Sequence, residues 1–476
     1  LLGLATVKVR NPRTGEEDYH IEPLSAVEVA AVADGLRSRQ LEWMALGAGA
    51  RGEHLRALAE GLRTGRASLL DALAADTGRR AISALEVEGT IRSLERWADR
   101  GPVIIETAQD SRPSSTPGIE ISTRLVPYAL VGAISPWNFP LTLAMIDAIP
   151  ALAAGAAVIV KPSEVTPRFI RPLMQIVGDF PNVPLAIIEG DGATGAALIE
   201  VADYVAFTGS VATGRKVAEA AARAFIPASL ELGGKDPMII LSSADPAQAA
   251  RTALRASVVN AGQACQSIER VYVHRSIASE FLKALVADAE KARLTIDDPG
   301  SGEIGPFIFA GQAEIVAAQL ADAAEQGAKI LTGGKIEERG GCWLRPTVVT
   351  DVTPAMRLMR EETFGPVIPV TVFDAVEDAV ALANGTEFGL SAAVLAGSVA
   401  EAEAVAVKLE AGAISINDGA LTSMVWDAEK SSFGTSGLGP SRMGESGLLR
   451  FFRKQALLRQ TAAPMPLAAF AEETLQ

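Results

Sequence analysis

Three short stretches of the chain hold side chains of the types needed for covalent chemistry on a carbonyl. Asn260-Ala261-Gly262-Gln263-Ala264-Cys265-Gln266-Ser267 carries one of only 2 cysteines in 476 residues. Glu231-Leu232-Gly233-Gly234-Lys235-Asp236-Pro237 sets a carboxylate at the end of an apolar run. Ser135-Pro136-Trp137-Asn138-Phe139-Pro140 sets an amide between aromatic rings. A thiol is a soft nucleophile, a carboxylate is a general base, and a side-chain amide donates to an oxyanion. Together they are the parts for acyl chemistry through a thioester.

Each residue also has a plainer reading. A lone cysteine is most often a small buried hydrophobe. Around Cys265, however, Gly262 and Ala264 leave backbone room near the sulfur, and a helix expected from Asp245 to Asn260 ends beside it. Cys342, in Gly340-Gly341-Cys342-Trp343, has no comparable neighbours and reads as structural. Glu231 alone is a strand-end carboxylate in water. The adjoining glycines let a backbone, substrate or cofactor approach it, and a semi-buried carboxylate with a raised pKa can activate water. Asn138 alone is a turn asparagine. Gly209-Ser210-Val211-Ala212-Thr213-Gly214 follows a strand pattern and opens a helix pattern, which presents backbone N–H groups to a phosphate. It matches neither G-x-G-x-x-G nor the P-loop, so in isolation it is an ordinary strand-to-helix turn.

Composition narrows the partners. The chain is 49% hydrophobic and 21% charged, which is globular, and its length calls for two or three domains. A net charge of −14 disfavours nucleic acid, whose phosphates need clustered Lys and Arg. Two distant cysteines make neither a disulfide framework nor a zinc spacing, and His20, His54 and His274 stand alone. No metal is expected, and a reducing, cytoplasmic setting is. The most apolar run, Ala144 to Val160, contains Asp147 and Pro150 and is short for a bilayer span, so a helix plus a buried strand is expected rather than a membrane partner.

The elements that must position these residues change character along the chain. Ala5 to Val9 alternates before the turn cluster Asn11-Pro12-Arg13-Thr14-Gly15-Glu16. Ser25-Ala26-Val27-Glu28 reads as a capping box opening helices up to about Arg100. Leu55, Leu58 and Leu62, then Leu69, Leu70 and Leu73, form apolar faces opposite Arg56, Glu60 and Arg63. Ser111 to Gly118 is a turn-rich linker, and Ile119 to Leu125 alternates like an edge strand. Short apolar runs then recur at Tyr128–Ile134, Ala156–Val160, Leu185–Ile188, Tyr204–Phe207 and Ala228–Leu232, with room for crossover helices between most of them. Polar or glycine-rich words follow most runs, as in a Rossmann-like nucleotide domain. A second α/β alternation begins near Pro237. It has strands expected at Arg270–Val273, near 329–332 and 367–373, and at Leu390–Leu395 and Ala413–Ile416, with helices near 276–292 and 311–327. The stretch from Leu448 to Thr461 is expected against a partner subunit, and Ala462 to Gln476 is expected to be loosely structured.

Ser-Pro-Trp-Asn-Phe-Pro, Lys-Pro-Ser-Glu, Phe-Thr-Gly-Ser, Glu-Leu-Gly-Gly-Lys, Gly-Gln-Ala-Cys and Glu-Thr-Phe-Gly-Pro occur here in one order. As an ordered set, with the early Asn-Pro-Arg-Thr-Gly-Glu, they closely resemble the NAD(P)-dependent aldehyde dehydrogenase superfamily from about residue 10 to about residue 450. The resemblance implies oxidation of an aldehyde to an acid with NAD, or NADP, through a cysteine thiohemiacetal and thioester. Cys265 would be the nucleophile, Glu231 the general base and Asn138 the oxyanion donor. Lys161 and Glu164 would hold the adenosine ribose, Ser210 the pyrophosphate, and Glu362 with Phe364 the nicotinamide riboside. Ile134, Ser135, Pro136, Trp137, Ser163, Gly209, Gly214, Leu232 and Gly233 would complete the cofactor site. Phe139, Thr142, Leu143, Ile146 and Gln266 would line the substrate tunnel, which then has no arginine for a free carboxylate.

The implied fold is α/β: an NAD-binding domain over 1–108 and 128–232, a catalytic domain over 233–447, and an oligomerisation segment over 109–127 with the tail 448–476. A homodimer or homotetramer is implied. Acyl transfer to coenzyme A is the rival within the class, and acylating relatives usually lack a glutamate at the position of Glu231. A catalytically silent binding relative is the rival outside it. The family's Pro-Phe-Gly-Gly-x-Lys-x-Ser-Gly is replaced here by Asp427-Ala428-Glu429-Lys430-Ser431-Ser432-Phe433-Gly434-Thr435-Ser436-Gly437, which leaves the substrate open.

Overall fold

The computed structural model describes residues 6–471. Ala5 of the expected first strand, and the stretches 1–5 and 472–476 of the expected outer segments, lie outside the described residues. Two parallel-rich sheets form the body. In the first, Leu185–Ile187, Ala157–Lys161, Leu130–Ile134, Tyr204–Thr208 and Ala228–Glu231 run parallel in that spatial order, and Gly437–Leu438 adds an antiparallel edge. The strand order reverses at Leu130–Ile134, so a crevice opens beyond its carboxyl end and that of Tyr204–Thr208. Runs such as Ala157–Lys161 are buried on both faces, which is why they read as continuous apolar stretches.

The second sheet has seven strands in the order Lys329–Thr332, Thr347–Thr350, Val367–Phe373, Ile268–His274, Asp236–Ile240, Ser391–Leu395 and Ala413–Ile416. All neighbouring pairs are parallel except the first. The residues between Glu231 and Asp236 cross from one sheet to the other.

The helices Ala26–Ala45, Gly47–Thr64, Arg66–Thr77 and Arg80–Thr107 form a layer on the first sheet. Leu55, Leu58, Leu62, Leu69 and Leu73 are fully buried within it. The capping box is present: Glu28 N donates to Ser25 Oγ at 3.3 Å, and Ser25 N donates to the Glu28 carboxylate at 2.8 Å.

Three expectations need correction. Ile119–Pro127 is the middle strand of a three-stranded antiparallel sheet, flanked by Phe452–Gln460 and Ser111–Pro113. Its alternation shows a strand, but its partner arrives from the far end of the chain and leaves no local trace. Ser111–Pro113, expected as part of a turn-rich linker, is a short strand on that same sheet. The helix expected from Asp245 to Asn260 runs from Pro246 to Val258, because Asn260, Ala261 and Gly262 turn left-handed, with φ of 61°, 53° and 70°.

Candidate active site

The crossover between the sheets gathers the three chemical stretches. Glu231 ends its strand, and Asp236–Ile240 starts the neighbour of Ile268–His274, three residues beyond Cys265. A Cβ on Gly233 would lie 2.7 Å from Glu362 Oε1, and one on Gly234 would lie 2.9 Å from the Cys265 carbonyl oxygen. Only residues without side chains let Glu362 and the cysteine loop come so near the Glu231 strand.

Asn138 joins them through Gln263. Its Nδ2 donates to Gln263 O at 3.0 Å, while Asn138 O accepts from Asn260 Nδ2 at 3.1 Å and from Arg79 Nη2 at 3.0 Å. Gln263 spends its own amide on Asn260 O and Pro306 O, each at 3.1 Å, and accepts from Ile308 N at 2.9 Å. An amide has two N–H donors, so one remains for an oxyanion near Cys265.

Electrostatics at the thiol are mixed. Burial pushes the Cys265 thiol up to about 11; Lys430 opposes that, while Asp236, Glu362 and Glu231 add to it. Burial, then Glu269, pushes Glu362 up to about 8, and Gly234 N donates to it at 3.1 Å. Lys235, whose pKa burial lowers, donates to Glu269 at 2.6 Å and to Thr363 Oγ1 at 2.7 Å. Glu269 in turn accepts the N–H groups of Thr363 and Phe364, both at 2.8 Å. That clamp holds Phe364 at φ 52°, edge-on to Trp137 at 5.4 Å. Ser432 Oγ donates to Glu231 Oε2 at 3.3 Å, and Gly437 pairs with Glu231 across the edge strand.

The expected cofactor residues lie around the carboxyl ends of the first sheet's strands. Ile134 ends one strand, and Ser135, Pro136 and Trp137 follow it. Lys161 Nζ donates to Gly190 O at 3.0 Å and Glu164 Oε2 at 3.4 Å, and burial lowers its pKa. Ser163 Oγ accepts from Val165 N at 3.2 Å. Gly209 and the exposed Ser210 open the helix Val211–Ala224, where Ser210 Oγ accepts from Thr213 N at 3.3 Å. A Cβ on Gly214 would meet Leu232 Cδ2 at 2.5 Å, which sets how closely that helix lies on the crossover. The set fits a dinucleotide: a helix N-terminus for phosphates, a lysine and carboxylate for a ribose, and the buried Ser135 Oγ with no hydrogen-bond partner.

On the substrate side, Thr142, Leu143 and Ile146 are the half-buried face of the helix Pro140–Ala154, whose Leu141, Ala144, Met145 and Ala148 are buried. Phe139 lies under the Arg79 guanidinium at 5.5 Å, and Gln266 Oε1 accepts from Thr422 Oγ1 at 2.9 Å.

Sequence reasoning assigned no role to Gln263, Asn260, Arg79, Lys235, Glu269, Lys430 or Arg442. Asn260, Gln263, Lys235 and Lys430 stand inside the stretches that drew attention in the sequence, whereas Arg442 is visible only in three dimensions. Its Nη2 donates to Asp147 Oδ2 at 2.8 Å and Thr208 Oγ1 at 2.5 Å, and Arg450 also pairs with Asp147.

The chain matches the model of the aldehyde dehydrogenase family over residues 3–457. The solved structure named "Putative Aldehyde Dehydrogenase PutA" from Anabaena variabilis is 50% identical, with a TM-score of 0.96, covering 98% of this chain and 100% of that one. Lactaldehyde dehydrogenase from Escherichia coli is 29% identical, with a TM-score of 0.91 and 97% of each chain covered. A curated relative, "Putative succinate-semialdehyde dehydrogenase [NADP(+)] 2" of Mycobacterium tuberculosis (strain ATCC 25618 / H37Rv), is 35% identical over 96% of this chain and 90% of its own length.

Proposed function

The chain belongs to the aldehyde dehydrogenase family, enzymes that oxidise aldehydes to carboxylic acids, and on that premise we propose that Cys265, Glu231 and Asn138 carry the reaction. The observation that bears most weight is the crossover itself, where Gly233 and Gly234 let the Glu231 strand, Glu362 and the Cys265 loop pack together.

Cys265 Sγ adds to the aldehyde carbon as a thiolate. The oxygen that becomes negative receives the free N–H of Asn138 and the backbone N–H of Cys265. NAD(P), when bound, supplies the hydride acceptor. Glu231 then takes a proton from the water that attacks the resulting thioester, releasing the acid and restoring the thiol. Trp137 and Phe364 help exclude bulk water around these atoms.

The cofactor reading rests on Lys161, Glu164, Ser210, Glu362 and Phe364, with NAD preferred because Glu164 would repel a 2′-phosphate. NADP stays the alternative, and the mycobacterial relative is named for it. The division into an NAD-binding part, a catalytic part and an oligomerisation segment belongs to the same proposal. So do a cytoplasmic setting and a homodimer or homotetramer whose contact uses the three-stranded sheet. Among the described residues no helix is long and apolar enough to cross a membrane.

Cys265→Ala tests the reading. Aldehyde-dependent NADH formation should vanish while cofactor binding, followed by fluorescence quenching, persists. Near parental turnover in a folded variant would overturn it.

A further inference from the structure

Two buried charged residues reach the loop that carries Asn138 from the helical layer. Arg79 immediately precedes the helix Arg80–Thr107, and Glu86 lies within that helix. Arg79 Nη2 donates to Asn138 O at 3.0 Å, and the guanidinium lies over the Phe139 ring at 5.5 Å. The Glu86 carboxylate accepts from Leu141 N at 3.2 Å and from Thr142 N at 3.1 Å. One helix therefore grips Asn138, Phe139, Leu141 and Thr142, the turn into the helix Pro140–Ala154.

Packing fixes where the guanidinium sits. A Cβ on Gly305 would lie 2.6 Å from Arg79 Cγ, so the stem runs against bare backbone there. Pro306 and Ile308, just beyond, hold the side-chain amide of Gln263. Arg79 and Gln263, the two residues that flank Asn138 in this network, are thus both placed by the segment 305–308. Arg79 Nε and Nη1 are buried with no hydrogen-bond partner among the described residues, which leaves the bond to Asn138 O as the one its side chain makes there. Burial lowers its pKa to about 10, with Glu86 opposing, so the group is a cation at neutral pH. Burying a charge to hold a single carbonyl is costly for stability alone. What the bond does is fix geometry. Asn138 O is held by Arg79 Nη2 and Asn260 Nδ2, and Asn138 Nδ2 is held by Gln263 O. With backbone and side chain both anchored, the second amide N–H has one direction left.

We propose that Arg79 is a positioning residue for the reaction: by holding the Asn138 carbonyl, it aims the free Asn138 amide N–H at the oxyanion. It acts through Asn138 rather than on the substrate or the sulfur. The inference rests on the reading of Asn138 as oxyanion donor, and it gives a role to a charge buried in the helical layer.

The test is a double-mutant cycle between Arg79→Met and Asn138→Ala, read as kcat. Alone, Arg79→Met should lower kcat about 10–10²-fold, the scale for a reacting group displaced by about an ångström. The KM for aldehyde and cofactor binding, followed by fluorescence quenching, should stay within about threefold of the parent. So should alkylation of Cys265 by iodoacetamide in a Cys342→Ser background, because none of these uses the aimed N–H. In the Asn138→Ala background the same change should cost no more than about threefold in kcat, since the group that Arg79 aims is gone. Arg79→Lys keeps the stem and charge without the planar fork, so its kcat should fall between parent and Arg79→Met. If Arg79→Met fails to fold, Arg79→Lys carries the same comparison across the two backgrounds. Equal losses in both backgrounds would overturn the proposal, since Arg79 would then act by packing or directly on substrate. So would an unchanged kcat in a folded Arg79→Met. Parental kcat in Asn138→Ala would instead refute the oxyanion reading beneath the proposal, a separate failure seen with Arg79 intact.

Discussion

Asn138 donates its side-chain amide to the carbonyl oxygen of Gln263 at 3.0 Å, two residues before Cys265. That bond couples the helix-leading loop of the first sheet to the cysteine loop of the second, and it orients the remaining amide N–H. Asn138→Ala should lower kcat about 10²–10³-fold, the usual cost of a lost oxyanion donor. Alkylation of Cys265 should be nearly unaffected, because the thiol's ionisation does not depend on this amide. A variant that kept kcat within a few-fold would place the donor elsewhere.

The turn before the cysteine makes a stability prediction. Gly262 sits at φ +70°, and a Cβ there would lie 2.2 Å from Gly365 O, a backbone atom that cannot swing aside. Gly262→Ala should cost about 2 kcal/mol or more through strain and overpacking together. Gly47 has φ +80° with nothing within 4 Å of its Cβ, so Gly47→Ala should show the strain alone, about 1 kcal/mol. Equal losses in chemical denaturation would mean that the Gly365 contact does not matter.

Much of this arrangement was legible because its chemistry is local. A strand end, a glycine pair and a cysteine after a helix are each written in a few consecutive residues. Glu231, Gly233 and Gly234 therefore stood out, as did the strands Val367–Phe373 and Ala413–Ile416. What stayed hidden depends on partners far away in the chain. Ile119–Pro127 looks like any alternating strand until Phe452–Gln460 pairs with it. The hairpin Ile336–Arg339 with Gly341–Leu344 has strands of only 4 residues each, too short to establish an alternation, and the first is mostly charged. The return of the atypical segment to Glu231 shows only in the pairing of Gly437 with it, and Arg442 only in its bonds to Asp147 and Thr208.

Glu362 predicts a pH dependence of the cofactor-free protein. Burial first, then the charge of Glu269, raises its pKa from 4.5 to about 8. A carboxyl raised in the folded state favours folding below its unfolded value, and that contribution is lost as pH climbs through the folded value. The melting temperature should therefore fall between about pH 4.5 and about pH 8. Asp76, Glu86 and Asp236, each pushed up to about 7 by burial, act in the same direction. Glu362→Gln should flatten only its own share, so the gap between variant and parent should widen toward pH 8 in the variant's favour. Parallel curves would show that Glu362 ionises normally in the folded chain.

Glu231 offers the sharpest separation of steps. Its carboxylate ends a strand, accepts from Ser432 Oγ at 3.3 Å and faces the loop that carries Cys265. If it activates the deacylating water, Glu231→Gln should still form the thioester but release it about 10²–10⁴-fold more slowly, the range for a lost general base. Glutamine keeps the size of the side chain and can still accept from Ser432, so packing should survive. Rapid mixing with aldehyde and NAD should then give a burst of NADH near one equivalent per site, followed by a slow steady rate. If Glu231 instead deprotonates Cys265 before attack, the burst itself should be slow, and raising the pH should restore it as the thiol ionises unaided. The two roles thus differ in which phase slows and in whether alkali rescues it. An unchanged steady rate would remove Glu231 from the mechanism and leave Ser432 bonded to a bystander.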